Sequence, residues 1–231
     1  MNDYQWTIAD LISYMSRNSG MLWEYFVSHV LMVVSGVGLA IVIGIPLGIL
    51  CSKNEKVASI ILSITNVLQV IPSLALLVLL MLVLGLGSTT VIIGLLFYSL
   101  NPIVRNTYVG LKQVNPSYIE AGRGIGMSSL QLLLKVKFPL ALTYIMTGLR
   151  VAAVIAIGVV TIAPLVGGEG LGREIYAGIN NSNPLRIYAG AIPAALLAIV
   201  ADLVLGHYQK KLKFDERKSK RNGNGMKKAS A

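Results

Sequence analysis

The side chains that could do chemistry in this sequence are single and scattered. Its two histidines, His29 and His207, each lack a second ligand that would complete a metal site, and the one cysteine, Cys51, excludes an intramolecular disulfide. The apolar stretches hold no convergent histidine, aspartate or serine–lysine set, and no G-x-x-x-x-G-K-[ST] phosphate loop occurs in the chain. The sequence therefore predicts no catalytic residue and no metal site, and any ATP hydrolysis has to come from a partner.

Two charged residues stand inside otherwise apolar stretches. Arg150 and Asp202 would each cost roughly 2.5–3.5 kcal/mol if they were unpaired at the centre of a bilayer. Their predicted depths differ by roughly one helical turn, so a salt bridge between them is feasible. We therefore predict an intramembrane charge pair with a structural or gating role, and Arg105 is an alternative partner.

Polar residues recur at helical spacing in two further apolar stretches. The positions are i, i+3 and i+7, which lie on one face of a helix; they are Asn66, Gln69 and Ser73 in the first stretch and Tyr98, Asn101 and Arg105 in the second. Pro72 should bend the first face. Polar groups in a span usually face the bundle interior or a water-filled cavity. The two stripes therefore either line a translocation route or form interhelical hydrogen bonds without touching a substrate.

The composition indicates that helices in a lipid bilayer position these residues. The 231 residues are 55% apolar and 13% charged, with a mean hydropathy of +0.70, whereas soluble domains are about 25% charged. Apolar runs of about 20 residues cross the hydrocarbon core as helices. We predict an all-α integral membrane protein with five spans, at about 28–51, 57–83, 89–111, 140–166 and 187–208. Glycines at positions 36, 44 and 48 should let the first span pack closely against a neighbour.

The charge distribution predicts the orientation and three regions. Lysine and arginine collect on the cytoplasmic side of membrane proteins, and five spans with an outer N-terminus put every basic cluster inside. Region 1–27 should hold an interfacial helix, begun by a capping box at Thr7 and Asp10, and then an aromatic belt. Region 28–208 is the transmembrane domain, and 209–231 is a basic cytoplasmic tail. The net charge of +10 needs no nucleic acid, because the tail can contact anionic membrane lipid; an RNA-binding arm is the alternative.

Segment 112–139 joins the third and fourth spans on the predicted cytoplasmic side. Ser117 is predicted to cap a first helix. The glycines that follow, at 122, 124 and 126, each lower helix stability by about 1 kcal/mol relative to alanine. The chain should therefore turn near 124–126 and restart as a second helix that Pro139 ends. The leucines expected on its apolar face are Leu130, Leu133 and Leu134. Such a hairpin suits docking into a groove on another protein.

The same segment resembles a known motif. Its spacing E-A-(A/G)-x-x-x-G-x9-(I/V)-x-(L/F)-P is similar to the EAA motif of permease subunits in bacterial ABC importers of the type I fold. The matching residues are Glu120, Ala121, Gly122, Gly126, Val136, Phe138 and Pro139. Glycine, valine and phenylalanine replace the commoner alanine, isoleucine and leucine at three of them. The resemblance implies that these residues transmit the closure of a separate ATPase dimer to the spans. It also implies that ATP and Mg²⁺ are bound by that ATPase, with no cofactor in this chain.

A second resemblance covers the sequence APLVGGEGLGREI, residues 163–175. It is similar to the G-G-x-G-L-G turn of such importers, which lies outside the membrane near the pore mouth and meets the substrate-binding protein. The residues concerned are Gly167, Gly168, Gly170 and Gly172. The alternative is a plain glycine-rich connector.

The chain size, the span order and the sequences NVLQVIPSLALL and FYSLNPIVRNTYVGL resemble the permeases of osmoprotectant importers. The resemblance implies uptake of a quaternary ammonium compound, such as carnitine, glycine betaine or choline, across the bacterial cell membrane by alternating access. It also implies an extracellular substrate-binding lipoprotein and a second, homologous permease in a heterodimer. High-affinity selection should lie in the binding protein, because the mid-span aromatic residues are too few to enclose such an ion.

Three other functions are open to the sequence. A methionine-type amino-acid permease shares the motif and the span count and is the main alternative. A membrane enzyme would need the convergent catalytic groups that the spans lack. An assembly scaffold would leave the glycine-rich hairpin at 112–139 unexplained.

Overall fold

The computed structural model describes residues 6–229, and the side chains of residues 6–212. Residues 1–5 of the predicted interfacial region, and the side chains of most of the predicted basic tail, lie outside that range. Every regular element within it is helical. The elements are α1 (Ile8–Arg17), α2 (Ser19–Lys53), α3 (Glu55–Val70), α4 (Ser73–Leu84), α5 (Ser88–Lys112), α6 (Pro116–Gly124), α7 (Ser129–Leu132), a π-helical turn (Leu133–Lys137), α8 (Phe138–Val160), a 3₁₀ turn (Ala163–Val166), α9 (Gly172–Asn180) and α10 (Pro184–Ala229).

Five spans, as the sequence predicts, can be formed by the described residues. Four stretches are long and apolar enough to cross a membrane singly: α2, α5, α7 through α8, and the first part of α10. The helices α3 and α4, which meet at an angle of 99°, are together long and apolar enough to form a fifth span, and they count as one span or as a re-entrant pair. We call the side of the bundle that carries Lys53, Lys112 and the α6–α7 hairpin the basic side.

One helix is longer than its predicted span, and one predicted span end is wrong. The helix of the first span, α2, has 35 residues and begins at Ser19, ahead of the predicted span start at 28. The aromatic belt is thus part of this helix, since Trp23 and Phe26 stack within it with ring centroids 5.5 Å apart. The fourth span ends at Val160 and not at 166. Pro164 has no amide to donate to the carbonyl of Val160, so the α-helix stops there and a 3₁₀ turn follows.

The core of the bundle is built around α5. A β-carbon added to Gly36 of α2 would lie 2.5 Å from Cβ of Leu95, and one added to Gly48 would lie 2.5 Å from Cβ of Thr107. The residue numbers of the two contacts increase together along both helices, so α2 and α5 run parallel. The helix α8 crosses another face of α5 at Gly148. The glycine face predicted for the first span is therefore a packing face, where only small residues let the backbones approach.

The N-terminal helix α1 packs on the side of the bundle opposite the basic side. The Thr7 Oγ1 atom accepts the Asp10 amide at 3.2 Å, and the Asp10 carboxylate accepts the Thr7 amide at 2.9 Å, which is the capping box that the sequence predicts. Leu11 is buried against Leu22 and Ala189, so α1 joins α2 to the start of α10.

Candidate coupling surface and translocation path

The hairpin between α5 and α8 turns where the sequence predicts. The helix α6 ends at Gly124, and Gly126 follows with a φ of +79°, a left-handed conformation that glycine adopts without the penalty of a β-carbon. The predicted cap is wrong, because the Oδ1 atom of Asn115 accepts the Ser117 amide at 2.9 Å. Pro116 fits the first helical position, which moves the start of α6 ahead of Ser117.

The second half of the hairpin does not end at Pro139, contrary to the prediction. Residues Ser129–Val160 form one apolar helical stretch that passes through the π turn into α8. Pro139 lies in the first turn of α8, and the wider π turn just before it accommodates the missing amide. Val136 and Phe138 therefore lie where the hairpin becomes a membrane span.

One face of the hairpin is apolar and exposed. We define the hairpin surface as its exposed apolar residues, which are Tyr118, Ala121, Ile125, Leu130 and Leu134. Leu133, predicted on the same face, instead packs toward the spans with Leu111 and Ala141. Glu120 is exposed beside this surface, and Gly122 is buried where a β-carbon would come within 2.6 Å of Leu132 Cδ2. Exposed apolar residues grouped in this way are typical of surfaces that contact another protein.

The broken span separates residues that the sequence places on one face. Asn66 and Gln69 lie on α3, whereas Ser73 starts α4 beyond the 99° bend, so the predicted three-residue stripe is wrong at Ser73. Pro72 removes an amide, and its ring keeps Ile71 out of the helical region, with a ψ of 129°.

A polar cluster holds the bend against α5. The Asn101 side-chain amide donates to Gln69 Oε1, the Thr65 hydroxyl donates to Asn101 Oδ1 at 3.3 Å, and the Tyr98 hydroxyl donates to the carbonyl of Ile71. Asn66 and Arg105 are exposed and take no part. Three of the predicted path residues thus make interhelical hydrogen bonds, and two lie on an open surface. Thr65 was missed by the sequence analysis, although its i+4 spacing to Gln69 could have shown it.

Arg150 and Asp202 form a two-pronged ion pair between α8 and α10. The Arg150 Nε atom donates to Asp202 Oδ1, and Nη2 donates to Oδ2 at 2.5 Å. Gly206 makes room for the guanidinium, since a β-carbon there would lie 3.1 Å from Nη1. The next turn adds a 2.6 Å hydrogen bond from Gln209 to Thr147. The alternative partner, Arg105, is on α5 and is not part of this pair.

The glycine-rich loop folds back onto the spans. Gly167 and Gly170 have φ values of +76° and +106°, which favour glycine. A β-carbon at Gly168 would lie 2.8 Å from Val91, and Gly172 packs directly on the backbone of Thr161. These glycines let the loop lie close to the spans, and the exposed apolar residues around them are Leu165, Tyr176 and Ile179.

Comparison with known proteins decides the class. The family described as binding-protein-dependent transport system inner membrane component matches residues 26–214. The chain belongs to this family. It is therefore a membrane transport component.

Individual members of the permease family are similar over most of the chain. The glycine betaine/carnitine/choline transport system permease protein OpuCD of Bacillus subtilis is 48% identical over 206 residues, 89% of this chain and 90% of the relative. A second permease of that system and organism, OpuCB, is 37% identical over 202 residues, 87% of this chain and 93% of the relative. Inward-facing structures of the MetNI methionine ABC transporter share the fold, with a TM-score of 0.73 at 20% identity, covering 85% of this chain and 98% of theirs.

One buried polar group of this permease was missed by the sequence analysis. Glu174 on α9 is fully buried and accepts two hydrogen bonds from Arg186, at 3.1 and 2.7 Å, and one from the Tyr14 hydroxyl at 2.8 Å. Burial and the neighbouring carboxylate raise the pKa of Tyr14 to about 12. In the sequence Glu174 and Arg186 look like balanced loop charges, and the hydrogen bond from Tyr14 of α1 to the buried Glu174 is a tertiary contact.

Proposed function

We propose that this chain is a permease subunit of an ABC importer for quaternary ammonium osmoprotectants, such as glycine betaine, carnitine and choline. The observation that carries the substrate class is the 48% identity, over 89% of the chain, to a permease named for those three compounds. Selection with high affinity belongs to a separate binding protein, because Tyr98 is the one aromatic residue in the polar cluster and a single ring makes no cage.

The hairpin surface is the proposed seat of a separate ATPase, which binds ATP and Mg²⁺. Its five apolar side chains are exposed on the basic side, and burying them against a partner would be favourable. The second half of the hairpin is continuous with α8, so a displacement of the surface also moves Arg150 and its partner on α10. This continuity supports alternating access driven by closure of the ATPase.

The remaining partners follow from the two sides of the bundle. The basic side would face the cytoplasm, as the positive-inside rule requires. The glycine-rich loop and α9 would then lie outside and meet a substrate-binding lipoprotein. A second permease completes the pore, and two relatives named for one Bacillus subtilis system, OpuCD and OpuCB, favour a heterodimer.

Substrate uptake tests the proposed class. The chain is expressed with its ATPase, second permease and binding protein in a bacterium that lacks its own osmoprotectant uptake. We expect uptake of at least one of labelled glycine betaine, carnitine and choline, and none of labelled methionine. Uptake of methionine without any quaternary ammonium compound would establish the alternative permease class and contradict the proposal.

The coupling role is tested at the turn of the hairpin. Gly126→Asp puts a side chain at a φ of +79°, whereas Gly124→Asp puts the same charge two residues earlier at a helical position with nothing within 4 Å. We expect Gly126→Asp to abolish uptake while the binding protein still binds substrate, and Gly124→Asp to keep most of it. Intact uptake by Gly126→Asp would refute the coupling role.

A further inference from the structure

The bend between α3 and α4 leaves backbone acceptors free near the middle of the membrane. Among the described residues no amide or side chain donates to the carbonyls of Leu68, Gln69 and Val70. Pro72 has no amide to donate to the Leu68 carbonyl. The 99° turn moves the amides of Ser73 and Leu74 away from the carbonyls of Gln69 and Val70. The Tyr98 hydroxyl fixes the depth of the bend, because Tyr98 lies near the middle of α5.

Free carbonyls at this depth cannot face lipid. An unpaired backbone group in hydrocarbon costs several kcal/mol, so broken helices in membranes occur only where they are buried in protein or line a water-filled cavity. Asn66 supports the same conclusion, because its polar side chain is exposed on α3 within the same apolar span. The open face of the bend must therefore be wet or covered in the assembled importer.

The bend presents oxygen atoms that can accept hydrogen bonds or attract a cation. The three free carbonyls sit at the C-terminal, negative end of the α3 dipole. Gln69 turns its side-chain oxygen toward the Asn101 amide, so this oxygen is fixed in orientation and adds a fourth oxygen dipole at the same end of α3. A quaternary ammonium ion has no N–H to donate, so the oxygen dipoles and the negative helix end attract it by electrostatics alone, without a hydrogen bond.

We propose that the bend is the mid-membrane transit site for the quaternary ammonium group, formed by the carbonyls of residues 68–70 together with Gln69. This inference rests on the proposed function, because it takes the substrate class from there. The site passes the cation from the outer to the inner side and does not set the affinity of the importer.

The test adds a negative charge to the site without removing the hydrogen bond. Gln69→Glu is isosteric and its carboxylate still accepts from Asn101. Choline is a cation, whereas glycine betaine also carries a carboxylate that the new charge repels. We expect the ratio of choline uptake to glycine betaine uptake to rise at least about fivefold relative to wild type. Uptake is measured at about pH 7 and about pH 8.5, so that protonation of the new carboxyl shows as a pH dependence of the ratio.

Asn54→Asp is the matched control. Asn54 caps the opposite end of the same helix, with its Oδ1 atom accepting the Lys56 amide at 2.9 Å, and aspartate caps as well as asparagine. The control adds the same charge at the membrane surface, so the uptake ratio should stay at its wild-type value. If Gln69→Glu does not reach the membrane, Asn66→Asp places the charge on the exposed side of the same helix, and the same rise is expected.

The outcomes separate the two proposals. A ratio that stays at the wild-type value at both pH values, in a variant present in the membrane, overturns the transit site alone. A wild-type importer that carries neither choline nor glycine betaine contradicts the proposed function before the site is tested.

Discussion

The pair of Arg150 and Asp202 shows how the membrane sets the cost of a single charge. Each side chain would be expensive in hydrocarbon by itself, but together they neutralise each other through two parallel hydrogen bonds. Replacing one partner by leucine leaves an uncompensated charge. Replacing both leaves two apolar side chains, which the membrane tolerates.

We expect Arg150→Leu and Asp202→Leu each to lose most of the uptake, and the double change to restore much of it. Uptake and the amount of permease in the membrane are measured for all three variants. Arg17→Leu is the control, because it removes an exposed arginine on α1 outside the spans. If the double variant is no better than the single ones, the two residues do not act as a pair.

The hydrogen bond from Tyr14 to Glu174 predicts a pH dependence of stability. Burial first, and then the carboxylate, raise the pKa of Tyr14 from 10.0 to about 12. Between these values the unfolded chain loses the phenol proton and the folded chain keeps it, so the free energy of unfolding falls as pH rises.

Thermal unfolding of the purified protein is compared with that of Tyr14→Phe from about pH 9 to about pH 12. We expect the unfolding temperature of wild type to fall more steeply, because phenylalanine has no proton to lose. Equal slopes would show that Tyr14 does not remain bonded to Glu174.

Single residues were predictable from the sequence where a charge interrupts an apolar run. Arg150 and Asp202 stand out because they interrupt apolar runs, and so their partnership could be inferred. Glu174 lies in a polar loop, and nothing nearby in the chain shows that α1 will cover it. A contact of this kind, across 160 positions, depends on tertiary structure.

At the scale of elements, the fit between α2 and α5 depends on small residues at one face. We expect Gly48→Val to lower the thermal stability of the protein by about 1–3 kcal/mol, because its β-carbon would lie 2.5 Å from Thr107. Gly38→Val is the matched control, since Gly38 is on the same helix with nothing within 4 Å. Similar unfolding temperatures for the two variants would contradict the parallel packing of α2 on α5.

The prolines show why elements are only partly predictable. Apolar runs and the hairpin glycines indicated the five spans and the turn at 124–126. Pro72 and Pro139 were both expected to disturb helices. Pro72 does so, since it lies at a 99° bend, whereas Pro139 lies in a helix that continues. A π turn accommodates Pro139, while the Tyr98 hydroxyl and the Asn101 amide hold the bend at Pro72. The local sequence around the two prolines shows neither the π turn nor the hydrogen bonds from α5.

At the scale of the whole molecule, the chain has the form of one part of an assembly. In the proposed importer, an ATPase contacts the hairpin surface, a binding protein contacts the opposite side, and a second permease lies against the open face of the bend. The family and the order of the spans were within reach of the sequence, because both follow from motifs and apolar runs. The arrangement of the partners was not, since it depends on surfaces that only the folded chain presents.

The central claim is that the hairpin surface contacts a separate nucleotide-hydrolysing subunit, and site-directed cross-linking tests it most directly. In a Cys51→Ala background, a cysteine is placed at Ile125, which is 76% exposed in the hairpin, or at Ile8, which is 73% exposed on α1. The assembled importer is treated with a short cysteine-to-lysine cross-linker. The account predicts a cross-link to the ATPase from position 125 and none from position 8. A hairpin cysteine that reaches no ATPase, in a complex that still imports substrate, would contradict it.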